Sequence, residues 1–324
     1  MSRWVGANGW VLGLAALLAV LLGMTKQIQP DFGVSGLDSL ARAALPFALA
    51  TLGMAVVVLA GGIDQSLAAM MAVAGVTGAA LMQGASDGQA ALVVGFVLLL
   101  GLAMGAVNGA LIVWTRVPDI VVTLAMLFVW QGVALLILKA PGGAAAPWLR
   151  GLIVGGVALP GVPPAVTAWL PKAVVFLAVA MALIWLPIKR SKLGLMFYAI
   201  GSDPLAAFRS GVAVGPTRIA AYAVCGLFAA LGGLSLTMST GIGEPIPGPY
   251  LLAAVAAVVL GGVVLGGGRG GLLGPVLAVF VLRLVRMDLT LLSVDPTVTL
   301  IIEGTIMVGV VMLGAILATR RRKT

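Results

Sequence analysis

Apolar runs of about twenty residues follow one another along most of this 324-residue chain, with short polar breaks between them. A membrane-crossing helix needs about twenty such residues, so the pattern predicts about ten membrane helices. The first runs from about Trp10 to Met24, and a polar loop, Lys26 to Ser39, follows it. The second, about Leu40 to Ala60, ends at Gly61-Gly62-Ile63-Asp64. The third covers about Ser66 to Met82, the fourth about Ala90 to Trp114, and the fifth about Ile120 to Leu138. The loop Gln83 to Gln89 separates the third from the fourth, and Thr115-Arg116-Val117-Pro118-Asp119 separates the fourth from the fifth. Lys139 to Pro171 is rich in Gly and Pro and is predicted irregular. The sixth helix is about Lys172 to Ile188, the seventh about Thr217 to Met238 and the eighth about Tyr250 to Leu265. The ninth, about Leu272 to Val285, and the tenth, about Thr297 to Ala318, complete the set.

Composition narrows the class. Hydrophobic residues make up 61% of the chain and charged residues 9%, which is too little polar surface for a soluble domain of this length. The expected fold class is therefore an all-α polytopic membrane protein, a single transmembrane domain over residues 1–324. Val11 to Met24 also has the look of a signal-peptide core, but no small-x-small cleavage site follows, so it is read as the first membrane helix. Ten spans place both termini on one side. Arg3, Arg116, Lys189, Arg190, Lys192, Arg209, Arg218, Arg269 and the basic tail at 320–323 fall on that side. They face three acids, Asp64, Asp119 and Asp203; the opposite side holds seven bases and seven acids. The basic side is expected in the cytoplasm. The net charge of +9 is thus explained by orientation rather than by nucleic acid. The chain has no histidine, which excludes Ser-His triads, His proton relays and zinc sites. The single cysteine, Cys225, lies in an apolar run, so neither a disulfide framework nor a Cys-based metal site is expected.

The longest polar interruption is Lys189 to Gly215. It carries Lys189, Arg190, Lys192 and Arg209 against one acid, Asp203, and a short helix is predicted over Pro204 to Ser210 between Gly201 and Gly211. Asp203 is placed to cap that helix. A short helix held between glycines on the cytoplasmic side suits docking by a partner protein. Glycines recur every four residues at 101, 105 and 109, and again at 262, 266, 270 and 274. That spacing favours close helix packing in lipid, with a hinge as the functional alternative. A faint internal echo relates Val57-Val58-Leu59-Ala60-Gly61-Gly62 to Val258-Val259-Leu260-Gly261-Gly262, and Gly109-Ala110 with Thr115-Arg116 to Gly314-Ala315 with Thr319-Arg320.

Little in the chain can carry covalent chemistry. Gly266 to Gly271 lacks the Gly-Lys-Ser/Thr of a phosphate-binding loop and reads as a flexible tight turn between helices. Any ATP hydrolysis belongs to another chain. Glu303 in the tenth helix and Arg283 and Arg286 near the end of the ninth are expected to form a structural ion pair, because an unpaired charge in a membrane span is costly. Arg42 is expected to reach toward the interface. Ser66, Asn108, Thr123, Gln131, Ser235 and Thr237, with Thr51, are uncharged polar residues within spans. They are candidates for a solute pathway, against the alternative of hydrogen bonding between helices. Trp130 offers a ring face of the kind sugars stack on, and Glu244 is a candidate for an outer entrance.

Four stretches in order resemble one family, the permease subunits of bacterial ABC importers for sugars, in the ribose, galactoside, xylose and autoinducer-2 branch. Gly61-Gly62-Ile63-Asp64-Gln65-Ser66 resembles its GGIDLS, and Asn108-Gly109 with Val117-Pro118 and Thr123-Leu124 resembles NG…IP…TL. Leu193-Gly194 to Gly211-Val212 resembles the family's cytoplasmic segment, through Tyr198-Ala199-Ile200-Gly201, Ala206-Ala207 and Ser210-Gly211. Ala256-Ala257-Val258-Val259-Leu260-Gly261-Gly262, with Gly267-Gly268-Arg269-Gly270 and Gly274, resembles AAVVLGG…GGRG…G.

The resemblance covers about residues 40 to 318. It implies a multi-pass protein of the bacterial inner membrane, paired with a second permease copy or a paralogue. ABC ATPase subunits would carry ATP and Mg, with no cofactor on this chain, and a periplasmic substrate-binding protein would deliver a small sugar. It also implies that residues 201–211 form the coupling helix seated in the ATPase, with Gly201, Asp203, Pro204, Ala206, Ala207, Arg209 and Gly211 as the coupling residues. Importers of nucleosides or branched-chain amino acids, and an ion-coupled secondary transporter built on Glu303, are the alternatives. The chain departs from the pattern at Gln65, at Leu67-Ala68-Ala69 and at Tyr250-Leu251-Leu252-Ala253, where the family carries leucine, a glycine and acids respectively.

Overall fold

The computed structural model describes residues 2–158, 161–246 and 248–320. The basic residues at 321–323 lie outside them. The described residues are helical, with two isolated β-bridges and no strand. The helices are α1 (Ser2–Ile28), α2 (Val34–Leu59), α3 (Leu67–Met82), α4 (Asp87–Thr115), α5 (Asp119–Ile137), α6 (Lys172–Arg190), α7 (Lys192–Ser202), α8 (Pro204–Arg209), α9 (Val214–Thr240), α10 (Tyr250–Leu260), α11 (Leu273–Leu291) and α12 (Pro296–Arg320). Six of them, α2, α4, α5, α6, α9 and the Gly9–Ile28 part of α1, are long and apolar enough to cross a membrane.

Helix α2 is the hub. Nearly every residue from Ala44 to Ala60 is buried, as expected of a helix that is apolar on all faces. On one side α2 packs against α9, which in turn holds α3 and α4, and α5 rests on α3. On the other side it packs against α10 and α11, to which α1 and α12 attach. Glycine sets the closeness of these crossings, because lipid supplies no hydrophobic drive between helices and packing must come from contact. A Cβ on Gly105 would stand 2.0 Å from the Tyr222 carbonyl oxygen, and one on Gly226 would stand 2.0 Å from that of Gly101. The 101–105–109 stripe is thus the α4–α9 contact itself. At Gly274 an added Cβ would meet the Gly261 carbonyl oxygen at 2.0 Å, whereas Gly266 stands nearly clear.

Several boundaries differ from the periodicity. The first helix continues to Ile28 and α2 begins at Val34, leaving a connection much shorter than Lys26–Ser39. Polar residues there have protein partners: Arg42 pairs with Asp38 one turn earlier at 2.9 Å, and Thr25 donates to Asp288 Oδ1 on α11 at 2.7 Å. Arg42 therefore has a protein partner. Helix α10 stops at Leu260 instead of about Leu265, because Gly262 takes φ 84°. The stretch from Lys139 to Pro171 contains single-turn helices at Pro147–Gly151 and Pro164–Thr167. It is fastened to the α9–α10 connection by the paired bonds Gly142 N–H to Gly243 O at 3.0 Å and Gly243 N–H to Gly142 O at 2.8 Å.

The internal echo has a structural counterpart. Helix α2 ends with Gly61 at φ 83°, Gly61 N–H donating to Val58 O at 2.9 Å and Gly62 N–H to Val57 O at 3.0 Å. Helix α10 ends with Gly262 at φ 84°, Gly262 N–H donating to Val259 O at 2.9 Å and Val263 N–H to Val258 O at 3.1 Å. Both are Schellman terminations in the same register. Both leave the last helical carbonyl to a distant donor: Leu59 O accepts from Gly268 N–H at 2.9 Å, and Leu260 O from Trp10 Nε1 at 2.6 Å.

Candidate functional site

Three glycine-containing motifs, far apart in sequence, meet at the end of α2. Gly201, near the end of α7, has room for hydrogen only: a Cβ there would lie 1.9 Å from Leu59 O and 2.5 Å from Gly268 N. Gly267 (φ 81°) in turn faces Gly201 and Gly61, with a virtual Cβ 2.8 Å from the Cα of each. The loop at 266–271 is therefore seated rather than free. It is held by Gly268 N–H on Leu59 O, and by the Tyr198 hydroxyl, which donates to Gly270 O at 3.0 Å. Burial pushes the Tyr198 hydroxyl above its ordinary value, so it remains a donor.

The short helix α8 follows directly. Asp203 caps it as expected, its Oδ1 accepting from Leu205 N–H and Ala206 N–H at 2.9 Å each. Pro204 occupies the first helical position, where its missing N–H costs nothing. Ala207 is buried beneath the helix, while Leu205, Ala206, Phe208 and Arg209 are exposed. Gly211 (φ 84°) ends the turn with open space around it. Gly201, Asp203, Pro204, Ala206, Ala207, Arg209 and Gly211 are thus one continuous element. It combines a buried glycine seat with a capped, solvent-facing turn carrying the apolar side chains Leu205 and Phe208.

A polar network sits between α2 and α3. The Asp64 carboxylate accepts from Ser66 N–H at 2.9 Å and Ser66 Oγ at 2.7 Å. Asn108 Nδ2 reaches Ser66 Oγ at 2.7 Å and Asp64 Oδ2 at 3.4 Å, and Asn108 Oδ1 accepts from Trp130 Nε1 at 3.1 Å. Asp64, Ser66 and Asn108 are wholly buried. Thr123 Oγ1 donates to Asp119 O at 2.8 Å and lies 3.3 Å from Ile63 O. Ser235 Oγ donates to Gly232 O at 2.8 Å and Thr237 Oγ1 to Gly75 O at 3.3 Å. Of the six pathway candidates, Gln131 is half-buried and the other five are buried in bonds within the protein.

Asp119, which the sequence shows only as an acid in the loop before the predicted fifth helix, belongs to this site. Its carboxylate accepts from Ile63 N–H at 2.6 Å and from the Tyr222 hydroxyl at 3.3 Å, clasping the Gly62–Asp64 turn from the start of α5. Its one signal in the sequence is an acid placed directly after Pro118 at a predicted helix start. Elsewhere, Glu303 pairs with Arg286 at 3.4 Å. Arg283 does not join them but lies over the Phe47 ring, 4.8 Å from its centre. Phe47 is also packed against Tyr250. Among the described residues no cluster of three His, Cys, Asp or Glu side chains exists to hold a metal.

Comparison with known proteins fits this arrangement. Residues 36–311 match the family described as branched-chain amino acid transport system / permease component. The ribose import permease protein RbsC of Escherichia coli K12 is 29% identical over 98% of this chain and 96% of its own length. Its Haemophilus influenzae counterpart is 25% identical over 94% and 93%. The autoinducer 2 import system permease protein LsrD of E. coli HS is 29% identical over 94% and 91%. No solved structure matches.

Proposed function

The chain belongs to the branched-chain amino acid transport system / permease component family, and from that premise we propose that it is the membrane subunit of an ATP-driven sugar importer. Two permease chains would enclose the pathway, separate ATPase subunits would carry ATP and Mg, and a periplasmic binding protein would deliver the solute. The relatives' names, ribose and autoinducer 2 import, favour a sugar or sugar-like cargo over nucleosides or branched-chain amino acids. On this reading the protein makes about ten crossings of the bacterial inner membrane, with both termini and α8 in the cytoplasm, as the excess of bases on that side indicates.

The observation that carries the proposal is the seat of Gly201. The exposed turn α8 is joined, through backbone contacts with no flexible side chain between, to the end of α2 and to the glycine loop that leads into α11. Motion imposed on α8 by an ATPase would reach both helix breaks. An ion-driven mechanism would need Glu303 available for protons, and its pairing with Arg286 assigns that charge a structural part.

Affinity purification of the chain from its native membrane, with mass spectrometry of what accompanies it, tests the proposal. A stoichiometric P-loop ATPase is expected, and a co-purifying second permease would mark a heterodimer. Recovery of the chain alone, with uptake that collapses when the proton gradient is removed, would overturn the proposal.

A further inference from the structure

A cavity of about 420 Å³ opens between the end of α4, the start of α5 and the start of α9, lined by Arg116, Arg218, Pro118, Asp119, Val113 and Gly215 among others. Arg116 ends α4 in the left-handed region, at φ 58°. Arg116 is exposed and Arg218 half-buried, and neither side chain has a hydrogen bond or ion pair among the described residues. The one acid in the lining, Asp119, accepts through Oδ2 from Ile63 N–H and the Tyr222 hydroxyl, so that oxygen is turned to the Gly62–Asp64 turn. Two guanidiniums therefore share one opening with a single acid, and neither pairs with it.

The residues next to the lining in sequence have the opposite character. Trp114 is 76% exposed, and Val117 of the lining and its neighbours Ile120 and Val121 are exposed as well. An exposed tryptophan next to a basic residue at a helix end marks the level of lipid headgroups. A basic opening with exposed apolar residues adjoining it in sequence matches a molecule with a phosphate at one end and hydrocarbon at the other. Arginine pairs bind phosphate oxygens in a planar, forked geometry, and the cytoplasmic leaflet is the one rich in anionic headgroups.

We infer that this cavity is a binding site for the phosphodiester headgroup of an anionic phospholipid of the inner leaflet, held by Arg116 and Arg218 with an acyl chain along Trp114 and Ile120. The leaflet rests on the orientation proposed above; the chemistry of the cavity does not. A lipid held there would bridge the starts of α5 and α9, next to the Asp119–Ile63 clasp.

The test uses the full chain purified in neutral detergent, with phosphatidylglycerol, phosphatidylcholine and inorganic phosphate as probes, read by lipid retained in native mass spectrometry. The wild type is expected to retain phosphatidylglycerol several-fold over phosphatidylcholine. That preference should fall to parity in the double variant Arg116→Gln/Arg218→Gln and be largely kept in Arg116→Lys/Arg218→Lys. If the double variant is not recovered folded, Arg116→Gln alone, at an exposed position, is read in its place and should at least halve the preference. A preference unchanged in the glutamine variants overturns the site. So does its abolition by millimolar inorganic phosphate, which would give the cavity to a free anion. Loss of a co-purifying ATPase from the variants with lipid retention unaltered would make the cavity a protein-docking surface and also overturn the site. Lipid preference in a chain recovered alone, whose uptake collapses when the proton gradient is removed, would instead sink the importer reading and leave the site standing.

Discussion

Replacing Gly201 with alanine perturbs the joint at which the glycine motifs meet. The added Cβ would lie 1.9 Å from Leu59 O, 2.5 Å from Gly268 N and 2.9 Å from the Leu59 carbonyl carbon. All three neighbours are backbone, so no side chain can rotate away. Reaching even 3.0 Å from Leu59 O requires the two segments to part by about 1.1 Å, and the Gly268 N–H to Leu59 O bond of 2.9 Å spans the same gap. Overpacking costs about 1–3 kcal/mol and a buried hydrogen bond left unmade about 1–3 kcal/mol, so the joint should weaken by roughly 2–6 kcal/mol. Gly211→Ala is the comparison. It forces alanine into φ 84° with nothing within 4 Å, a local strain of about 1–2 kcal/mol. The assay reconstitutes each variant with its ATPase and measures uptake per ATP hydrolysed, alongside thermal unfolding of the permease. Gly201→Ala should unfold earlier and lose uptake while hydrolysis continues, and Gly211→Ala should lower stability slightly. A Gly201→Ala variant that unfolds and transports like the wild type would refute the reasoning, because the segments would then be free to separate at no cost.

Other variants test neighbouring claims. Asp203→Ala removes both cap bonds of α8 and should destabilise that turn by about 1 kcal/mol, with uptake lowered and restored by Asp203→Asn; equal uptake in all three would detach the cap from transport. Asn108→Leu strands Ser66, Asp64 and Trp130 in a buried site and should cost on the order of 3 kcal/mol or more, seen as a large drop in unfolding temperature. Gly105→Ala should be similarly damaging at the α4–α9 crossing. Gly95→Ala, with nothing within 4 Å, should shift stability by no more than about 1 kcal/mol, and equal effects of the two would argue against glycine-set packing. The Tyr198 hydroxyl titrates above its ordinary value in the folded chain. Its contribution is therefore full below pH about 10 and is lost as pH rises through the folded value; Tyr198→Phe should make the alkaline fall in stability shallower.

What the sequence shows and what it hides divide along the range of the interactions. Helix identity is local, and so is the cap at Asp203: an acid before Pro204 at the start of a short helix declares itself within four residues. The glycine spacing at 101, 105 and 109 marks one face of α4, and the structure places α9 on it. Partner choice is not local. Nothing near Arg283 distinguishes it from Arg286, yet three residues of helix rotation carry one to Glu303 and the other over Phe47. The sequence shows the polar residues within spans one by one, with no sign that Ser66 and Asn108, 42 positions apart, share a hydrogen bond.

The same limit explains the glycine loop. On its own, Gly266 to Gly271 describes a chain able to take many conformations, and flexibility is the natural reading. The structure shows why glycine is used there: Gly267 at φ 81° and Gly268 at φ 68° approach Gly201 and Ser202 so closely that any Cβ would strike backbone. Glycine at this place permits contact rather than motion. The two Schellman ends, at Gly61 and Gly262, extend the point. Each breaks a helix without leaving its final carbonyl unsatisfied, because Gly268 serves one and Trp10 the other. A transporter needs elements that move as units about defined joints, and joints built from backbone contact transmit displacement with little slack. The permissive residue type and the rigid junction are therefore compatible, provided the partner strand of contact comes from far away in the chain.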